Sequence, residues 1–211
     1  RVQVILGEPD WEDNFRQSME LQEESDRSQV PRSRNCLILG LLWQKERSKE
    51  AYAEITRNEA VEKIDDFSFW ILKFATAEYH RIQGEIWDDE GMESEVELVL
   101  TSGNEFSTRP GHPWAFYFQA TARQCGRSDV AKRFQLAADL FQKDIGENSE
   151  NSILIFYSSV MLLAKAAASG DVALWQQIRK RIDDYLSNPQ ASRIQQYYEK
   201  SFSAIGESPN C

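Results

Sequence analysis

From Ser152 to Leu186 apolar residues recur at helical spacing on both sides of a single Gly170-Asp171 step, and no other feature constrains the fold as tightly. Ile153, Ile155, Phe156, Val160 and Leu163 line the first segment; Val172, Trp175, Ile178 and Ile182 line the second at the same period. A stripe of that period buries one side of an α-helix, so the spacing predicts helices over Ser152–Ser169 and Asp171–Leu186, folded back on each other at the glycine. The same reading gives a second pair, Pro113–Cys125 and Ser128–Lys143, around Gly126. Asn188, with Pro189 in the first turn, is expected to cap a last helix whose Ile194, Tyr197, Tyr198 and Phe202 cover the end of the stack.

The N-terminal half reads the same way with less regular punctuation. Asp10 is placed to cap a helix through Trp11, Phe15, Met19 and Leu21 that ends near Asp26, with acidic residues at its dipole-positive start. Pro31 reads as a break, followed by a buried helix over Ser33–Lys45 that carries the apolar block Cys36–Trp43. Ser48 is expected to cap its partner, Lys49–Arg57, with Tyr52 and Ile55 inward. Asp66 opens a run in which Phe67, Trp70, Ile71, Phe74 and Ala75 share a face. Met92–Leu100 alternates as a strand would at Val96, Leu98 and Leu100, yet Met92, Val96, Val99 and Leu100 suit a helix, and its helical surroundings decide for helix. Gly103 is expected to end it. Of the six Pro and ten Gly, most lie between the apolar runs rather than within them, which is helical usage. The expected fold is therefore all-α, antiparallel helix pairs in one domain over 1–211, with sub-halves 1–107 and 108–211 meeting at Pro110–Pro113.

The two late pairs also repeat. Asp129, Val130 and Ala131 answer to Asp171, Val172 and Ala173, Leu136 to Ile178 and Leu140 to Ile182, at a constant offset of 42 residues. An Asp before a helix can accept hydrogen bonds from its free amides, and the apolar positions behind it bury that helix on its partner. This pattern resembles the tetratricopeptide family and its relatives, in which a helix, a tight turn and a second helix recur. With Trp114 as the family's early aromatic, the later aromatic and small positions fall on Phe134 and Ala137. Phe118, Thr121 and Val130 depart from the family's small, aromatic and small residues, and Ser152–Leu186 matches only at its Gly170-Asp171 turn. The resemblance implies a divergent, longer-helix relative: pairs stacked as a right-handed superhelix with a C-terminal capping helix and a concave binding wall.

Charge narrows the partners. A net charge of −10 argues against nucleic acid, because a phosphate-facing surface needs clustered Lys and Arg. Residues 1–100 hold 23 acidic and 12 basic side chains against 11 and 12 in the remainder, so the acidity lies in the first half. No apolar stretch is long enough for a membrane span, and no basic start leads into an apolar signal region. Cys36, Cys125 and Cys211 are odd in number and far apart, which suits free thiols in a reducing compartment and a cytoplasmic setting. The chain opens on Arg1 without an initiator Met, as a processed chain or a piece of a longer regulatory protein would.

Motifs for chemistry are sparse. A Gly-rich phosphate cradle, a Walker lysine, HExxH and GxSxG are all missing, so no catalytic residue, cofactor or metal is expected. His80 and His112 read as a helix-face and a capping residue, and Cys36 and Cys125 as small hydrophobes. The run Glu85, Asp88, Asp89, Glu90, Glu93, Glu95 and Glu97 contains no basic residue. It reads as a solvated segment, as a patch for a basic partner, or as a metal-gathering motif whose opposing half is missing. The aromatic residues Trp70, Phe74, Trp114, Phe116, Tyr117 and Phe118 exceed what one helix face hides, so some are candidates for a groove.

The reading that follows is a protein-protein interaction or assembly scaffold for a protein or peptide, with Trp70, Phe74, Trp114, Tyr117, Asp88, Asp89, Glu90 and Glu93 as candidate contacts. A helical enzyme or small-ligand sensor with an aromatic-lined pocket is the first alternative. A structural domain that self-associates is the second.

Overall fold

A computed structural model of the chain describes residues 10–59, 66–101, 112–147 and 152–187. The chain divides into two compact units between Glu85 and Ile86; the alternative boundary at 107/108 lies outside the described residues, as do Gly103 and the helix expected after Asn188. Among the described residues the fold is all-α: nine α-helices, two short 3-10 turns and no strand. None of these helices is long and apolar enough to cross a membrane.

The first unit contains α1 (Trp11–Ser25), α2 (Val30–Trp43), α3 (Ser48–Glu59) and α4 (Asp66–Gln83). Its centre is α2, which packs against the other three because apolar residues occupy most of its circumference. Leu37, Ile38 and Leu41 are fully buried there, and Trp11, Ala51, Ile55, Leu72 and Ala75 close around them. Two amides cross this core. Asn58 Nδ2 donates to the Pro31 carbonyl (3.1 Å) and to Asn35 Oδ1 (2.8 Å), and Asn35 Nδ2 donates to the Ser68 carbonyl (2.8 Å), so α2, α3 and α4 share one buried polar chain. A buried amide without these partners would cost about 1–3 kcal/mol.

Three local expectations change. Pro31 does not break the chain; it sits in the first turn of α2, where a missing N–H forfeits no helical bond. Asp10 does precede α1, but its side chain makes no capping hydrogen bond. Tyr52 points outward rather than inward and stacks its ring on Tyr79 of α4 at 4.5 Å.

The second unit starts with Ile86–Gly91, which is not helical, and continues through α5 (Met92–Thr101), α6 (His112–Ala122), α7 (Val130–Glu147), α8 (Ser152–Ser169) and α9 (Val172–Leu186). From α6 to α9 each helix packs on the next in chain order. Phe116, Phe141 and Tyr157 come from α6, α7 and α8 and meet with ring centroids 5.3–5.6 Å apart. An aromatic side chain fully removed from water stabilises by roughly 1.5–3 kcal/mol. Phe141 is fully buried and Tyr157 nearly so, with Phe116 half-buried beside them, so this knot helps hold the three helices together. Gly126 and Gly170, the two turn glycines, have φ of +79° and +70°, where a Cβ would strain the backbone.

On α9 the expected stripe splits. Ile178 and Ile182 are buried against α8, whereas Val172 is 65% and Trp175 40% exposed. Three residues advance an α-helix by about 300°, so steps of three precess by about 60° each, and Val172 ends about 120° away from Ile178.

Candidate functional site

The densest polar arrangement in the second unit lies at the start of α7. Asp129 immediately precedes that helix and Arg133 follows one turn later, so the two share a helix face, while Arg127 stands in the turn before it. Asp129 accepts from both guanidiniums, Arg127 Nε to Oδ1 at 3.0 Å and Arg133 Nε to Oδ2 at 2.8 Å. Asp88, from the non-helical segment, repeats the pattern on the opposite edge, with Arg127 Nη2 to Oδ2 at 2.8 Å and Arg133 Nη2 to Oδ1 at 3.0 Å. Two carboxylates and two guanidiniums thus alternate in a closed ring. The arginine side chains are only 5% and 4% exposed, whereas Asp88 is 41% exposed. Arg133 also donates to Thr121 Oγ1 (3.0 Å) and lies over the Phe118 ring (5.8 Å), which fixes its direction.

The segment carrying Asp88 is read by side chains along its backbone. Trp87 N–H donates to Gln124 Oε1 and Asp89 N–H donates to the Tyr117 hydroxyl, each at 3.0 Å. Gln124 Oε1 simultaneously accepts from Arg127 Nη1 at 3.0 Å. Trp87 meets the Tyr117 ring edge-on at 6.2 Å, and Asp89 Oδ1 accepts from Gly91 N–H. Beyond the ring, Glu93 pairs with Arg133 and with Lys132, both at 3.3 Å.

Protonation follows this geometry. Burial would lift the Asp129 carboxyl, but hydrogen bonds from Arg127 and Arg133 outweigh it and hold the group down at about 2. For Arg127, burial disfavours the charge, and the bonds from Asp88 and Asp129 more than compensate, leaving its pKa raised. Tyr117 is pushed up, chiefly by burial, so its hydroxyl stays neutral. The arrangement is suited to holding a carboxylate between two fixed guanidiniums while two side-chain oxygens accept amides from a non-helical backbone.

The candidate contacts divide sharply. Trp70, Trp114 and Tyr117 are buried and Phe74 is half-buried, so in this structure the first three pack helices together and offer a partner no ring face; the Tyr117 hydroxyl alone takes part in the site. Asp88, Asp89 and Glu93 converge on it, and Glu90 is exposed beside it. Arg127, Arg133 and Gln124 carry no mark in the sequence, and Asp129 and Thr121 stand out there only as repeat positions, not as contacts. The Asp129/Arg133 spacing was a signal for one ion pair, but nothing local linked that pair to Asp88.

His80 Nδ1 lies 2.7 Å from Glu85, and the His112 side chain is outside the described residues. Cys36 is a free thiol, whereas Cys125 is disulfide-bonded, which overturns the expectation of a free thiol there; Cys211 lies outside the described residues. Among the described residues no group of three His, Cys, Asp or Glu is placed to hold a metal ion.

Comparison with known proteins finds no matching family model, no matching curated protein and no matching solved structure.

Proposed function

We propose that this chain is a protein-interaction scaffold of the tetratricopeptide-like kind, whose stacked helical hairpins turn a surface toward a protein or peptide partner. The observation that supports it is the outward pair Val172 and Trp175 on α9, 65% and 40% exposed on a helix whose Ile178 and Ile182 already satisfy its packing on α8. A large aromatic side chain that the fold does not need, next to an aliphatic one, is the usual anchor of a protein contact, since it brings much apolar area at little loss of conformational freedom. A basic partner at the acidic run has weaker support, because Asp88 and Glu93 already hold guanidinium and ammonium partners from α7 and its preceding turn. A superhelical stack would set this pair at the end of a row of hairpins.

The test is affinity capture with the 211-residue chain carrying Trp175→Glu and Val172→Asp beside the wild type. Loss of the captured partner with an unchanged circular-dichroism melting curve is the expected result. Recovery of the same partners at equal strength sinks the reading. Light scattering identifies the case in which the partner is a second copy of the chain.

A further inference from the structure

The segment Ile86–Gly91 is bound to the α6–α7 hairpin in the way that a separate peptide is bound by a receptor. Its main-chain amides at Trp87 and Asp89 are taken by side-chain oxygens of Gln124 and Tyr117 rather than by other backbone. Asp88 between them reaches both arginines, and Trp87 rests edge-on against Tyr117. Recognition of alternate main-chain groups together with one charged side chain is a peptide-docking pattern, and here the peptide is part of the same chain.

The receptor side is organised without the segment. Asp129 holds the Nε of both arginines, and Thr121, Gln124 and the Phe118 ring orient them further. Asp88 meets only the two outward Nη2 groups. When the segment lifts away, two guanidiniums remain with one shared carboxylate and with Glu93 at the edge of Arg133, so the place left open calls for an anion. Holding the segment costs little to reverse, because ion pairs to a carboxylate as exposed as Asp88 are screened by water and salt.

We infer that the surface formed by Tyr117, Gln124, Arg127 and Arg133 is a docking site for a non-helical acidic peptide with a neighbouring aromatic residue, closed in this structure by the chain's own Ile86–Gly91 as an autoinhibitory strap. The inference rests on the scaffold reading and adds a partner chemistry and a means of control to it. A tethered strap at high effective concentration excludes a free peptide until the strap is weakened, which is why the two states can be separated by experiment.

The probe is a fluorescein-labelled synthetic peptide with the chain's own sequence from Gly84 to Gly91, titrated by anisotropy into the full chain and into Asp88→Asn, which leaves the receptor side chains intact. The variant is expected to bind the peptide at least tenfold more tightly than the wild type, and the peptide carrying Asp88→Asn is expected to lose that binding. Amide exchange at Trp87 and Asp89 is expected to speed up at least tenfold in the variant. Equal binding to both proteins, binding to neither, or unchanged exchange at the two amides overturns the inference. The outcome is separable from the scaffold test: a failed peptide titration together with partner loss in the Trp175→Glu, Val172→Asp chain removes the strap and leaves the scaffold standing.

Discussion

The hairpins α6–α7 and α8–α9 share a register and use it for different ends. Asp129 and Asp171 stand 42 residues apart at the same place before a helix. Asp171 caps its helix, its Oδ1 accepting the Leu174 N–H at 2.9 Å, whereas Asp129 gives both oxygens to Arg127 and Arg133. One turn on, the register pairs Arg133 with Trp175, a guanidinium 4% exposed and an indole-bearing residue 40% exposed. Deeper in, Leu140 and Ile182 are both buried. The register therefore decides which residues meet the preceding helix, and what lies across the helix start decides the chemistry there. In the first hairpin that neighbour is the strap with Asp88.

The largest expected effect breaks the ring. Asp129→Ala leaves two nearly buried guanidiniums with half their carboxylate bonds; loss of one partner of a fully buried pair costs about 3–5 kcal/mol, and partial exposure of the carboxylates reduces this to about 2–3 kcal/mol. Urea denaturation reads it directly. Acid provides the same contrast without a substitution at a second site. The carboxyl of Asp129 sits at about 2 in the folded chain against an ordinary 3.8. A group depressed on folding contributes stability that is complete above its unfolded value and disappears as pH falls through the folded one. The stability gap between wild type and Asp129→Ala is thus expected to be constant above pH ~4 and to shrink toward pH ~2. A gap that persists at the lower end would show that the carboxylate contributes through packing rather than charge.

The turns sharpen the comparison at a smaller scale. Gly126 and Gly170 share a left-handed backbone, and an added Cβ would meet only Ile86 Cδ1 at 3.7 Å in the first case and nothing within 4 Å in the second. Both Gly→Ala changes are therefore expected to cost the same, about 1–2 kcal/mol from backbone strain alone. A clearly larger loss at Gly126, measured by thermal melting, would mean that the strap above it resists displacement. Asp171→Ala is expected to cost about 1 kcal/mol as a lost cap, and Asp171→Asn to restore most of it because an amide oxygen accepts the same N–H.

How far this contrast was legible follows from range. The α8 bounds, the turn glycines and the buried Leu140 and Ile182 could be read because helical period and a left-handed glycine are local properties of the chain. Pro31 reads as a break in the sequence but opens a helix in the structure, because a proline that breaks a helix and one that opens it look alike without the flanking hydrogen bonds. The charge ring was hidden because its four members come from two stretches of chain, and a sequence scan for acidic runs sees Asp88 without its arginines. Trp114 and Tyr117 remain candidate contacts in the sequence because a helix with apolar residues nearly all round has no polar face to orient it; in the structure such a helix is enclosed on several sides and both residues are buried.

The smallest expected effect concerns Trp175, and its smallness is what makes it informative. A residue 40% exposed on a helix held by Ile178 and Ile182 contributes little packing, so Trp175→Ala is expected to change stability by within about 0.5 kcal/mol. The aligned residue of the other hairpin, Arg133, could not be removed so cheaply, since it anchors Asp88, Asp129 and Thr121 together. Equal, sizeable losses at both positions in urea denaturation would show that Trp175 is structural and would withdraw it as a partner anchor. Near-neutrality at Trp175 beside a large loss at Arg133 would mean that one register position serves the fold in the first hairpin and is free to serve a partner in the second.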